Sequence, residues 1–293
     1  MGDKRKRFGD RYDGKYLRKA DPFYKIIPYI MKTRVDSQVY FDEKIDILKT
    51  DQFIKNLRKE EHLRVGFLHI MIAAMVRTIS QKPRINRFVS GRKIFARNEI
   101  AISLAIKKQM NEDAPETAVK VIFKPTDTLY DVVYKINEAI NANKVVGVDN
   151  DSDKLAKLIM LCPGFIVKFI VNLLTFLDNR GKLPKIVHNL SPFHTSVFVT
   201  DLGSLGIQPI YHHIYEFGTT SLFIAFGLKN TERIMNSEGN TIEHKYINMK
   251  VVADERICDG YYFSTAFKTF IKYIEKPSSL LVAPEKVVED HEI

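Results

Sequence analysis

Cysteine is nearly missing from this chain: Cys162 and Cys258 are its only two, and they lie far apart with no C-x-x-C spacing. That excludes a disulfide framework and a cysteine-built zinc site, and it suits a reducing compartment. His62, His69, His188, His244 and His291 show no i, i+3 or i, i+4 ligand pairing, so no metal site is expected. Nucleotide fingerprints are missing too. "GSLG" lacks the third glycine and the following helix of a dinucleotide motif, and there is no G-x-x-x-x-G-K-[ST]. The N-terminus has charge but no apolar segment of a secretory signal, and Lys6 stands where a myristoylation start wants Ser or Thr. A cytoplasmic protein is expected. No internal repeat or low-complexity linker breaks the chain.

What is present is a soluble, globular composition: 45% hydrophobic and 27% charged over 293 residues. The formal charge of +10 suits an anionic partner such as a phosphorylated cofactor, an acidic protein or a lipid surface. No nucleic-acid recognition motif accompanies it, so nucleic acid is not the expected partner. Much of the excess sits in "DKRKRFGDRYDGKYLRK", which reads as a solvated, partly mobile basic tail over residues 1–20.

Residues 51–80 hold two helical patterns, the second apolar on nearly all faces from about Val65 and therefore a core helix. "NRFVSGRKIFARNEIAISLAIKK" and "AVKVIFK" read as strands, and Asp127 as the N-cap of a helix through "LYDVVYKINEAINA". From 151 to 190 the character changes. The nearly continuous apolar run Leu155 to Leu177 approaches the roughly 20 residues of a membrane span. Lys157, Lys168 and the break Pro163-Gly164 argue instead for two short helices packed on the domain, with a hydrophobic lid or lipid contact as the alternative. Short β runs follow, two of them joined through "NSEGNTIEHKY" as a hairpin. In "INMKVVADERICDGYYF" the apolar residues Ile247, Met249, Val251 and Ala253 alternate with the others, a strand with one buried face that ends in Asp254, Glu255 and Arg256. A helix over "YFSTAFKTFIKYIEK" stops at Pro277, and an acidic tail occupies 284–293. The whole reads as one α/β domain over 21–283, a mixed β-sheet flanked by helices.

"DERICDG…FIKYIEKPSSLL" resembles the C-terminal signature of the dihydrolipoyl acyltransferases of 2-oxo acid dehydrogenase complexes and of chloramphenicol acetyltransferase, D-H-R-x-x-D-G or H-H-x-x-x-D-G at a strand end. "FVTDLGSLG" resembles the same family's F-T-I-S-N-L-G-x-F-G, followed at the right interval by "SLFIAFG". The likeness spans about residues 20–283, without a lipoyl domain or Ala/Pro linker ahead of it. It implies a chloramphenicol-acetyltransferase-like fold forming a homotrimer with active sites between subunits, using acyl-coenzyme A and a small-molecule acceptor bearing a thiol or hydroxyl. By position it implies that Thr200 supplies the hydroxyl for the tetrahedral oxyanion, and that Asp259 and Gly260 hold the motif's geometry.

The departure is Glu255, which stands where the family has its catalytic His. A carboxylate is an ordinarily weaker base than an imidazole by about two pK units, so acyl transfer here asks for a dry site. Three readings stay open. Glu255 is the base; or the base is His212 or His213, of which a strand would aim only one at a pocket; or the fold is a catalytically inactive binding module. His194 is close in sequence to Thr200 and is a weaker candidate for the same channel. The cluster Arg84, Arg87, Arg92, Lys93 and Arg97 reads as solvated surface, with the phosphates of coenzyme A as a second reading. Arg34 is the nearest candidate to pair with Asp259.

Overall fold

The structure, a computed structural model, describes residues 7–107, 116–143, 151–235 and 238–290. His291, residues 1–6, Lys108 and part of the hairpin turn at 236–237 lie outside the described residues.

Along the chain run β1 (Gly14–Tyr16), α1 (Pro22–Ile30), β2 (Gln38–Asp46), α2 (Leu48–Glu60), α3 (Phe67–Gln81), β3 (Arg87–Ser90), β4 (Lys93–Arg97), β5 (Ile100–Lys107) and β6 (Glu116–Phe123). Then come α4 (Leu129–Asn143), α5 (Asp151–Met160), α6 (Gly164–Asn179), α7 (Lys185–Leu190), β7 (Val197–Asp201), β8 (Leu222–Met235), β9 (Thr241–Asp254) and α8 (Gly260–Glu275). Six strands form a mixed sheet in the order β2-β9-β8-β7-β5-β6, with β7 parallel to both neighbours and the other pairs antiparallel. A second sheet, β1-β4-β3, is antiparallel.

The period-2 alternation decides which residues meet which layer. Ile247, Met249, Val251 and Ala253 of β9, with Leu222, Ile224 and Phe226 of β8, join the main core. There α3 packs against α4 and α8, and nearly every residue of α3 is buried. Phe198, Phe223 and Val252 occupy the opposite face, where Ile214 from the 207–217 loop closes a smaller cluster.

Both chain ends depart from the expected tails. Leu17, Arg11 and Asp13 are buried, and β1 pairs with β4. Within the described part of the basic stretch, Arg11 is drawn in by its pairing with Asp13, and Arg18 is tied to Asp10. At the other end the Val288 amide donates to the Ser80 carbonyl (2.8 Å), and Arg87 grips Asp290 through two bonds of 2.7 and 2.6 Å. The N-cap of α4 is Thr128 rather than Asp127. The Thr128 carbonyl accepts from Val132, and its hydroxyl and amide share the Asp131 carboxylate. Asp127 instead accepts from the Lys124 amide and the Lys135 ammonium.

The 155–177 run does form two helices broken at Pro163-Gly164, but they are not packed down on the domain. Met160, Leu161, Phe165 and Phe169 are each about two-thirds or more exposed, and Asp178 is the one buried residue of α6. The hairpin is held at its base, where Thr117 donates to Asp153 and Asp178 enters the interior. Among the described residues no helix is long and apolar enough to cross a membrane.

Candidate functional site

The charges that end β9 have separate jobs. Alternation turns Asp254 to the face it shares with Val252, where it is fully buried. Its two oxygens receive Arg256 Nε (2.8 Å) and Nη2 (2.7 Å), while the Arg256 amide donates to the same carboxylate (3.1 Å). Arg256, equally buried, also donates to the Met31 carbonyl. A paired fork of this kind is directional as well as attractive, and it fixes the 3-10 turn Glu255–Ile257. Glu255 lies between the two and points outward. It is exposed, and Arg256 does not reach it; among the described residues it has no partner.

Asp259 caps α8 by accepting from the Tyr262 amide (2.8 Å), a local role that leaves Arg34 to other partners. Gly260 opens α8 with empty space where a Cβ would stand, so no close approach at this position demands glycine.

Thr200 lies on β7, on the face shared with Phe198, and is 8% exposed. The "DLGSLG" that follows is shaped by backbone contact. A Cβ on Gly203 would come within 2.5 Å of the Gly227 carbonyl, and Gly206 is left-handed at φ +79°. Asp201 ties the turn by accepting from the Ser204 amide (3.0 Å), and burial pushes its carboxyl above the ordinary range.

The register sets the distance between the two motifs. Thr200 pairs with Ala225, and Ala225 with Lys250. Glu255 is therefore about 17 Å along the strand direction from that row, and two strand spacings, about 10 Å, across it. Thr200 and Glu255 of one chain cannot act on the same atom.

The 207–217 loop covers the Thr200 face. His212 is half-buried and stacks on Phe223 (4.5 Å, 10°), itself stacked on Phe198, so His212 shares the face of Thr200. His213 is exposed, edge-on to Tyr215. Arg34 secures the loop. Its amide donates to Glu216 Oε2 (2.7 Å), and its guanidinium to the carbonyls of Glu216 and Val89 (2.8 Å each).

His194 turns away from any channel into a buried polar knot that sequence reasoning missed. Arg11 forks onto Asp13 (2.7 and 3.0 Å) and reaches Asp178 (2.6 Å) and Ser90 (2.7 Å). His188 faces Asp13 and His194 faces Asp178, each at 3.4 Å. Despite burial, Arg11 and the histidines hold both carboxyls down, Asp178 to about 2. Burial lowers His194 below the ordinary histidine value, against the pull of Asp178, and brings Lys120 down to about 8. Lys120 spends its ammonium on the His188 carbonyl (3.0 Å). Of the basic cluster read as surface, Arg87 and Arg97 are buried, the first on Asp290 and the second on Thr219. The alternation of Arg11 and Asp13 in "RYDG" was the available signal, but its partners lie far along the chain. Among the described residues no group of three or more His, Cys, Asp or Glu is placed to hold a metal ion.

No protein-family model and no curated protein matches this sequence. Solved structures do. A probable dihydrolipoamide acetyltransferase from Listeria monocytogenes is 14% identical with a TM-score of 0.56, over 87% of this chain and 92% of that one. The cubic core of a pyruvate dehydrogenase multienzyme complex is 10% identical with a TM-score of 0.56, over 89% of each chain. Chloramphenicol acetyltransferase is 9% identical with a TM-score of 0.52, over 87% and 96%. The chain has the chloramphenicol-acetyltransferase fold. The resemblance seen in "DERICDG" and "FVTDLGSLG" is matched by the fold, and at these identities the likeness speaks for the fold alone.

Proposed function

We propose that this protein transfers an acyl group from a coenzyme A thioester to a thiol or hydroxyl acceptor, as a homotrimer with its sites between copies. One observation carries the reading: the two motifs present Glu255 outward at the end of β9 and Thr200 about 20 Å away on the same sheet. That placement is idle within one chain and complementary between two. The acetyltransferase neighbours of the fold support it.

In this arrangement Glu255 of one copy accepts the acceptor's proton as its oxygen or sulfur attacks the acyl carbonyl. The Thr200 hydroxyl of the next copy donates to the oxyanion. Collapse expels the coenzyme A thiolate, which takes back the proton from Glu255. The Asp254–Arg256 fork keeps the turn rigid, and the second copy supplies the dryness that Glu255 lacks on a lone chain. The apolar faces of α5 and α6 are the surface offered to a hydrophobic acyl chain.

A second reading, a catalytically silent module of the same fold, draws on the exposure of Glu255. Thiol release from acyl-coenzyme A of increasing chain length, with a dithiol, an alcohol and an anionic hydroxy acid as acceptors, separates the two. Saturable release that improves with chain length, from a species of three copies by light scattering, is the expected result. A trimer that releases thiol from none of them is the silent module.

A further inference from the structure

A cleft of about 290 Å³ opens beside the 3-10 turn that carries Glu255. Its walls come from the loop after α1, the β3–β4 turn and the C-terminal end of α6. Lys32, Arg34, Arg92 and Arg256 line it, against the single carboxylate of Glu216. Asp254 matches Arg256, so two positive charges remain in excess.

The cleft is built rather than incidental. Arg34 is 5% exposed, and its Nη atoms are spent on two neutral carbonyls; its Nε has no hydrogen-bond partner among the described residues. A buried guanidinium met only by neutral carbonyls is short of counter-charge, which an anion in the cleft it lines would supply. The β3–β4 turn is equally specified. Gly91 and Arg92 both adopt left-handed backbone (φ +53° and +62°), and the Gly91 amide donates to Asn179 Oδ1 (3.1 Å). A Cβ on Gly91 would come within 2.3 Å of the Asn179 carbonyl. This docking places Arg92 at the mouth, where Nη1 donates to the Pro28 carbonyl (3.2 Å).

We propose that this cleft binds the oxyanion, phosphoryl or carboxylate, of a small ligand, with Arg34 as its inner donor and Lys32 and Arg92 at its rim. Guanidinium forks match either oxyanion. The cleft borders the turn that carries Glu255 through Arg256, and on the acyl-transfer reading its ligand is the acyl acceptor, which makes the acceptor an anionic molecule. That assignment rests on the acyl-transfer reading, whereas anion binding is measured without turnover.

The test is isothermal titration calorimetry of the full chain at low ionic strength, with inorganic pyrophosphate and citrate as separate probes. Saturable binding of at least one probe at a single site is expected, and which probe binds tells phosphoryl from carboxylate. The paired substitution Lys32→Ala with Arg92→Ala removes two exposed rim cations and should weaken binding at least tenfold. Lys55→Ala with Lys59→Ala removes the same charge from α2, outside the cleft, and should leave it unchanged. An absence of saturable binding overturns the proposal, as does an equal loss in both double variants, which would mean diffuse attraction to a basic protein. If anion binding survives while thiol release is never seen, the cleft stands and the acyl-transfer reading falls.

Discussion

Acyl transfer by Glu255→Gln falls by about 10²–10⁴-fold, the usual worth of a positioned general base. Thr200→Val, which removes one oxyanion donor, falls by about 10²–10³-fold in kcat. The decisive result comes from mixing. Each variant keeps what the other has lost, and the two residues of a site belong to different copies. Unfolding and reassembling the inactive proteins together at equal amounts therefore restores intact sites at about one junction in four. Activity returning to about a quarter of the original stands far above either variant alone. Mixtures that stay as inactive as their components place the two residues within one chain's site, which the register of β7, β8 and β9 forbids, or remove them from the chemistry. Either variant retaining full activity while its partner is dead sends the search to His212, which already shares the Thr200 face.

How much of this was legible depends on how local the cause is. The end of β9 was readable because alternation, the "DERICDG" motif and the cap of α8 are all settled within twenty residues. The break of the apolar run at Pro163-Gly164 was readable for the same reason. Its exposure was not, since what an apolar helix packs against is decided elsewhere in the chain. The N-terminal basic stretch misled at Arg11, Asp13 and Leu17, because charge density ordinarily means water. Arg11 instead finds Asp178 across 167 residues, and no window on the sequence brings them together. The oxyanion cleft was hidden likewise: Lys32, Arg34, Arg92 and Arg256 come from three separate segments, and only the turn at Gly91 and the fork at Asp254 place them around one space.

Arg11→Met is expected to cost about 3–5 kcal/mol of folding stability, because it leaves the buried carboxylates of Asp13 and Asp178 without their shared cation. Urea unfolding monitored by circular dichroism reads this as a lower midpoint at unchanged slope. Arg11→Lys recovers only part, since an ammonium cannot fork onto Asp13 while reaching Asp178 and Ser90. The same knot sets an acid limit. Asp178 is held down to about 2 and Asp13 is lowered as well, whereas unfolded aspartates titrate near 3.9. Their stabilisation is complete above the unfolded value and is lost as pH falls through the folded one, between about pH 5 and 2. His194 adds to the slope earlier. Burial lowers it in the folded chain, so below about pH 6.5 the unfolded state takes up the extra proton. A wild-type midpoint that is flat from pH 7 to 3 contradicts this account, and in Arg11→Met the acid dependence below pH 5 should flatten.

The α5–α6 hairpin has a consequence for how copies of the chain meet in water. Sixteen residues of α6 make a rod about 24 Å long, anchored at the Asp178 end and greasy at the other, so Leu161 and Phe165 are the first groups a passing molecule touches. The +10 charge gives solitary chains a long-range repulsion that opposes contact there. Ordinary electrolyte shortens that repulsion to about 8 Å and molar salt to about 3 Å, without weakening the attraction between bare tips. On this account the lone chain is expected to associate more readily in brine.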